Sequence, residues 1–215
     1  MEHARWLAGI ALVAGMALAP ACESWAHEGH VHAGPAAAAT SDVPQGKPVK
    51  LVDTALIDQD GHPVRLLSDV LRDKVVVVSF IYTNCTDACP MVSHTFSQLQ
   101  DQLGPMLDAQ VRLVSMTVDP ARDTPAVLKA YSAQHGAKAG WRWLTGSAAN
   151  VTEALKGFGV YNPRFENHSG VVLIGDPRSG TWTRVYENDD AQQMLAKARE
   201  YLAAHDRMAA TAMKR

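Results

Sequence analysis

Residues 79–91 read SFIYTNCTDACPM and join an apolar run to two closely spaced cysteines. The run begins at Val75 and is almost continuously apolar, which is typical of a strand covered on both faces of a sheet. Proline is favoured at the first helical position, so Pro90 predicts a helix with Cys89 as its N-cap and Cys85 in the loop before it. The sequence therefore predicts two sulfurs between a strand end and a helix N-terminus, where the helix dipole favours a thiolate.

Strands alternate with helices along the rest of the chain, and this pattern predicts an α/β fold with a central mixed β-sheet, flanking helices and an N-terminal β-hairpin. A strand–helix–strand crossover places the cysteines at the carboxyl end of the first central strand, where ligand sites of open α/β sheets lie. The predicted elements are a hairpin (51–57 and 62–67), a helical turn capped by Ser68 (67–71), strands (75–82, 111–118, 141–144, 171–175 and 182–186) and helices (90–103, 125–135, 148–158 and 189–205).

The first 26 residues resemble a targeting segment. An uncharged apolar run follows Arg5; it is too short for a comfortable membrane span but suits a signal-peptide core. Small residues permit cleavage before His27, or before Cys22, which would then be acylated as in a lipoprotein; an uncleaved anchor is the third alternative. Each alternative places the remaining chain outside the cytoplasm, in the periplasm or on the outer face of the inner membrane if the source is a Gram-negative bacterium.

Residues 27–48 form a flexible linker in this interpretation. His27, His30 and His32 either form a weak site for a divalent transition metal or belong to a solvated tail. The folded domain is expected at 49–206, followed by a frayed tail at 207–215.

Composition excludes some function classes. The formal net charge is −2 and no Lys/Arg block stands out, so nucleic acid is not an expected partner. If cleavage precedes His27, Cys85 and Cys89 are the remaining cysteines. In an oxidising compartment such a pair forms a structural disulfide or a reactive site that other factors keep reduced.

Three motifs in order resemble the Sco/SenC family. They are CTDACP at 85–90, TVDPARDTP at 117–125, and His168 before an apolar strand that ends in GDP at 175–177. The resemblance covers about residues 51–202 and implies a thioredoxin-like fold and an extracytoplasmic location.

The resemblance also implies a copper site formed by Cys85, Cys89 and His168, with Asp87 and Asp119 at matching accessory positions. Two thiolates and an imidazole form a soft set suited to Cu(I), with Cu(II) as the other oxidation state. The implied role is maturation of the binuclear copper centre of cytochrome c oxidase. Its expected partners are a copper-accepting oxidase subunit and a periplasmic thiol reductant or copper donor.

Two alternatives to a metallochaperone use the same residues. A thiol–disulfide reductase would act through the cysteine pair on the oxidase subunit or on other periplasmic cysteines. A thioredoxin-like peroxidase would share the TxxC pattern at 86–89, but Tyr82 stands where peroxiredoxins carry a proline. Of the neighbouring side chains, His94 is predicted on the surface and Met91 in the core.

Overall fold

The computed structural model describes residues 49–168, 170–186 and 189–212. The leader, Cys22 and the His-containing linker predicted from the sequence lie outside these residues. The strands and helices are β1 (Ala55–Asp58), β2 (Pro63–Arg65), β3 (Val75–Ile81), α1 (Ala88–Leu103), β4 (Val111–Thr117), α2 (Pro125–Gln134), β5 (Trp141–Thr145), α3 (Ala148–Phe158), β6 (Val171–Asp176), β7 (Thr181–Tyr186) and α4 (Ala191–Ala212).

All seven strands form one mixed sheet in the order β2-β1-β5-β4-β3-β6-β7. The three central strands β3, β4 and β5 run parallel, and β6 lies antiparallel to β3 on its other side. Antiparallel pairing adds the β1–β2 hairpin at one edge and β7 at the other. The predicted α/β fold with an N-terminal hairpin is thus confirmed, and Gly61 in the hairpin turn has a positive φ of 85°.

Helices cover both faces of the sheet because β3 sends alternate side chains into two apolar cores. Val75 and Ile81 face the core that β3 shares with α1, α2 and α4. Val76 and Phe80 face the opposite core, which contains α3 and the π-helical turn Leu66–Leu71. All residues of β3 are buried, which explains why its sequence shows no polar alternation.

Helix α1 begins earlier than the sequence predicts. Its N-cap is Asp87, so Cys89 lies inside the first turn and its predicted place at the N-cap is wrong. Pro90 is the third helical residue, and this position tolerates proline because the first N–H groups of a helix have no intrahelical acceptor. The predicted stop is confirmed: α1 ends at Leu103, and Gly104 follows with a φ of 51°.

Two other local predictions need correction. Arg65 is the N-cap of the π-helical turn, and the hydroxyl of Ser68, the predicted cap, bonds instead to the carboxylate of Asp53. Helix α4 continues to Ala212, beyond the predicted end at His205, so residues 207–212 of the predicted tail are helical. Within the part of the chain that the structure covers, no helix combines the length and apolar character needed to cross a bilayer.

Candidate metal centre

Three loops meet at one end of the central strands. Strands β3 and β4 are parallel and end side by side, with Ile81 opposite Thr117. Strand β6 is antiparallel to β3, with Val172 opposite Ser79, so the chain enters β6 at this same end of the strands. The cysteine loop, the turn after β4 and the loop that carries His168 therefore converge at the carboxyl end of β3, where a ligand site is expected.

The two thiols differ in exposure. Cys85 is half-buried in the loop, and its N–H donates to the carbonyl of Tyr82 at 3.1 Å. Cys89 is only 2% exposed in the first turn of α1. Both are free thiols, and their side chains lie near enough for each to shift the pKa of the other. The loop thus bends Cys85 towards Cys89, which is the arrangement that either a shared metal ion or a disulfide requires.

Their surroundings move the two thiol pKa values in opposite directions. Burial alone would raise the pKa of Cys85, but hydrogen bonds from the Cys89 side chain, the backbone N–H groups of Asp87 and Cys89, and the Tyr82 hydroxyl together lower it. Burial, reinforced by the hydrogen bond to Cys85, raises the pKa of Cys89 to about 12. Cys85 is therefore the thiol that ionises first, and the helix N-terminus stabilises its thiolate.

His168 is half-buried in the loop before β6. Its Nδ1 lies 2.9 Å from the carbonyl oxygen of Phe165, and its Nε2 lies 3.0 Å from that of Phe80. The imidazole also packs edge-on against the ring of Tyr82, with centroids 5.6 Å apart. A neutral imidazole carries one N–H and can donate to only one of these carbonyls. His168 thus lies at the end of β3, beside the residue that opens the cysteine loop.

The structure does not gather the two thiols and this imidazole into a compact set. In the described part of the chain, the group of three potential ligand atoms within 4.8 Å of one another is instead Asp58, Asp60 and His62. The buried carboxylate of Asp58 accepts the N–H groups of Asp60 and His62 at 2.9 Å each and lies 3.5 Å from Arg142. Lys129 neutralises Asp60 at 3.0 Å. Hydrogen bonds and neighbouring cations therefore satisfy the carboxylates of the turn between β1 and β2.

The two accessory aspartates lie in different environments. Asp87 is exposed as the N-cap of α1 and makes no capping hydrogen bond through its side chain. Asp119 is 5% exposed, and its carboxylate accepts a hydrogen bond from Arg122 at 2.7 Å. The Arg122 guanidinium carbon lies 5.7 Å from the centroid of the Phe165 ring. Asp119 is thus connected through Arg122 to the loop that carries His168.

Asp123 supports the site and was not identified from the sequence as a site residue. Its carboxylate is buried and accepts hydrogen bonds from the Thr83 hydroxyl at 2.6 Å, the Thr83 N–H and the Thr117 hydroxyl. These contacts bind the start of the cysteine loop to the end of β4. The available sequence signal was an aspartate just after a buried strand, but its position before Pro125 also suits a helix cap, a role that Thr124 fills.

His94 and Met91 are neighbours of the site on α1. His94 is exposed, as predicted, and its Nε2 lies 3.1 Å from the side-chain nitrogen of Gln98. Met91 is 54% exposed, so its predicted place in the core is wrong. An apolar side chain therefore reaches solvent two residues after Cys89.

Known proteins share both the sequence and the fold of this chain. Residues 45–203 match the model of the SCO1/SenC family. The SCO1 protein homolog of Bacillus subtilis is 34% identical over 118 residues, which cover 54% of this chain and 60% of that protein. The chain thus spans about three fifths of the length of this curated relative.

Two solved structures extend the comparison to the fold. Copper-bound ScoI of Bradyrhizobium japonicum is 26% identical with a TM-score of 0.58, over 69% of this chain and 96% of that one. BsSco, described as a member of the Sco family of cytochrome c oxidase assembly proteins with a disulfide switch, is 27% identical with a TM-score of 0.59, over 73% of this chain and 95% of that one.

The family match begins four residues before the described region and ends in α4, so it includes the cysteine loop, the turn after β4 and the loop that carries His168. The mixed sheet and its flanking helices are those of a thioredoxin-like domain. This chain belongs to the SCO1/SenC family.

Proposed function

We propose that this protein binds copper as a cargo through Cys85, Cys89 and His168, and assists maturation of the binuclear copper centre of cytochrome c oxidase. The observation that carries the proposal is the convergence of the cysteine loop and the His168 loop at one edge of the sheet. Two further facts support it: copper is bound in the solved ScoI structure, and BsSco belongs to a family of oxidase assembly proteins.

The donor chemistry of these three side chains fits Cu(I). Cys85 supplies the thiolate that forms first. Cys89 loses its proton when a metal ion displaces that proton from the sulfur. If the Nδ1–H of His168 donates a hydrogen bond to the Phe165 carbonyl, the lone pair of Nε2 is available to a metal ion, which is the usual arrangement of a metal-bound histidine. In that tautomer Nε2 carries no proton and donates nothing to the Phe80 carbonyl oxygen 3.0 Å away, so copper binding requires Nε2 to turn from that oxygen but breaks no hydrogen bond there.

An anaerobic Cu(I) titration tests this ligand set. Fully reduced protein competes with a colorimetric chelator, first as wild type and then with its thiols alkylated. The single variants are Cys85→Ser, Cys89→Ser and His168→Ala. His94→Ala is the matched control, because this exposed imidazole lies on α1 and bonds only within its own helix among the contacts described.

We expect both serine variants to lose high-affinity binding, since each removes a thiolate. His168→Ala should bind Cu(I) more weakly, with the remaining two-thiolate site more open to the chelator, and His94→Ala should behave as wild type. Wild-type affinity in His168→Ala would refute the three-ligand site. Wild-type affinity in alkylated protein would refute the cysteines as ligands.

A thiol–disulfide reductase is the second candidate, and the unequal thiols favour it. A half-buried thiol of lowered pKa next to a buried thiol of raised pKa is the arrangement of an attacking cysteine and a resolving cysteine. The assay is reduction of a disulfide in a peptide that carries the cysteines of the copper-accepting oxidase subunit. Fully reduced, copper-free protein should reduce one peptide disulfide per molecule while Cys85 and Cys89 become a disulfide, and Cys85→Ser should lose this exchange. No exchange would leave copper transfer as the role of the pair.

The proposed location is the periplasm or the outer face of the inner membrane, after export. Partners there would be the copper-accepting oxidase subunit and a thiol reductant or copper donor. Intact mass of protein purified from its native host tests the leader. A mass that starts at His27, or a lipid-shifted mass that starts at Cys22, would support the two cleavage routes. A mass that starts at Met1 would leave only the uncleaved anchor.

A further inference from the structure

The loop that carries His168 is held to the rest of the domain by the side chain of Phe165. The ring of Phe165 packs edge-on against the ring of Tyr82, with centroids 5.3 Å apart. The guanidinium carbon of Arg122 lies 5.7 Å from the centroid of the same ring. Phe165 is thus clamped between the first residue of the cysteine loop and the turn that follows β4.

The backbone of Phe165 in turn fixes His168. Its carbonyl oxygen accepts the backbone N–H of His168 at 3.1 Å and lies 2.9 Å from the imidazole Nδ1. The imidazole is therefore attached to the main chain of Phe165, and the contacts of the Phe165 ring help to fix that main chain. The imidazole also contacts the sheet directly, because its Nε2 lies 3.0 Å from the Phe80 carbonyl oxygen and its ring packs edge-on against Tyr82. The hydrogen bond from the side chain of Asn162 to the carbonyl of Asn167, at 2.8 Å, is internal to the loop.

Arg122 is itself held in position by the carboxylate of Asp119. Its side chain is 66% exposed, but its NH1 atom donates to the nearly buried carboxylate of Asp119 at 2.7 Å. Asp119 is fixed because its own N–H donates to the Thr117 hydroxyl at 2.9 Å. A rigid carboxylate at the end of β4 thus orients the guanidinium over the aromatic ring.

We propose that Arg122 and Phe165 are positioning residues. They hold His168 beside the cysteine loop, at the carboxyl end of β3, by a cation–π contact in which Asp119 orients Arg122. Neither side chain touches the metal in this assignment. The proposal also gives Asp119 a defined role, which is to orient Arg122. The copper arm of the test rests on the proposed function, whereas the metal-free arm does not.

The metal-free arm follows His168 in reduced protein by NMR. Its readouts are the exchange rate of the His168 backbone amide and the chemical shifts of its imidazole ring. The variants are Arg122→Ala, Arg122→Lys and Phe165→Ala. Lys156→Ala is the matched control, because Lys156 makes a cation–π contact of 5.1 Å with Tyr161 and, among the contacts described, none with Phe165 or His168.

We expect Arg122→Ala to speed amide exchange at His168 about two- to fivefold, the weight of one exposed cation–π contact. Phe165→Ala should speed it about tenfold or more, because it removes the Tyr82 contact as well. Arg122→Lys should lie nearer to wild type, and Lys156→Ala should match wild type. If the exchange rate and ring shifts of His168 are unchanged in Arg122→Ala and Phe165→Ala, the clamp does not position His168 and the proposal is overturned.

The copper arm uses the chelator competition in two backgrounds. With His168 present, Arg122→Ala should weaken Cu(I) binding about two- to fivefold. In the His168→Ala background, Arg122→Ala should have no further effect, because a positioning residue acts through the side chain it positions. An equal loss in both backgrounds would overturn positioning while leaving the ligand set intact. Wild-type affinity in His168→Ala alone would instead refute the ligand set, and the metal-free arm would still decide the clamp.

Discussion

Asp123 offers the most direct test of how the cysteine loop is held. Its carboxylate is 1% exposed and accepts three hydrogen bonds, from the Thr83 N–H, the Thr83 hydroxyl and the Thr117 hydroxyl. The last donor belongs to a fully buried residue, whereas Thr83 is half-buried. Replacement by alanine therefore strands one donor in the core and releases two that water can partly reach.

The magnitude follows from these environments. A hydrogen bond to a charged acceptor contributes about 1.5–3 kcal/mol, and a stranded buried donor costs about 1–3 kcal/mol. Counting the Thr117 contact in full and the Thr83 contacts at a discount for solvent, we expect Asp123→Ala to lower the free energy of unfolding by about 2–4 kcal/mol. Asp123→Asn keeps one acceptor oxygen and the side-chain volume, so it should lose about half as much.

Urea unfolding measures the loss, and alkylation of Cys89 measures its location. With an m-value of about 2 kcal/mol per molar, the midpoint of Asp123→Ala should fall by about 1–2 M. The freed loop should also expose Cys89, which is buried in the native state, to faster alkylation.

The matched control is Asp53→Ala. Asp53 is half-buried, accepts hydrogen bonds from Leu67, Ser68 and Arg65, and precedes β1, which lies three positions from β3 in the sheet order. This variant should leave Cys89 alkylation unchanged. If Asp123→Ala unfolds at the wild-type midpoint, or loses stability without faster alkylation of Cys89, Asp123 does not anchor the loop.

Three further predictions use other parts of the molecule. At neutral pH iodoacetamide should label Cys85 and spare Cys89, because the pKa of Cys85 is lowered and that of Cys89 is raised to about 12. As pH increases, labelling of Cys85 should begin at lower pH than labelling of Cys89. Equal labelling of the two cysteines, measured by peptide mass spectrometry, would contradict this prediction. Gly175→Ala would place a Cβ in steric conflict with the Trp182 ring and the Thr181 carbonyl oxygen, so urea unfolding should show a loss of about 1–3 kcal/mol, and an unchanged midpoint would show that both neighbours can move aside. Deletion of residues 27–32 should leave Cu(I) affinity nearly unchanged in the chelator competition, and loss of copper in this variant alone would move the principal site to the histidine tail.

Local signals in the sequence predicted most of the fold. Helix α3 has the predicted bounds, because Ser147 caps its start and Gly159 in the left-handed conformation ends it. The continuous apolar run of β3 was correctly interpreted as a strand covered on both faces. The helix ends were less certain where the chain has no glycine or proline: residues 203–212 are rich in alanine, the best helix former, and α4 runs through them.

The site was predicted only in part, because contacts between distant segments leave no local signal. The position of His168 near the cysteines came from topology and from the family resemblance, and its contact with the Phe80 carbonyl could not be read from a spacing of 88 residues. Asp123 was missed for the same reason. A carboxylate before a helix start looks like a cap until the structure shows that its acceptors face two threonines from other segments.

The two candidate functions separate at His168, because the three side chains are held by different elements. The thiols are fixed by the cysteine loop and the first turn of α1, and nothing in their mutual contact involves the imidazole. His168 is held by its backbone N–H, which donates to the Phe165 carbonyl, and by its imidazole, which lies against the carbonyls of Phe165 and Phe80. Loss of the imidazole should therefore weaken copper binding but leave the disulfide free to form and to be reduced. Thiol counting after mild oxidation of His168→Ala checks this: two thiols that persist would show that the pair depends on His168, and the functions could not be separated in this way.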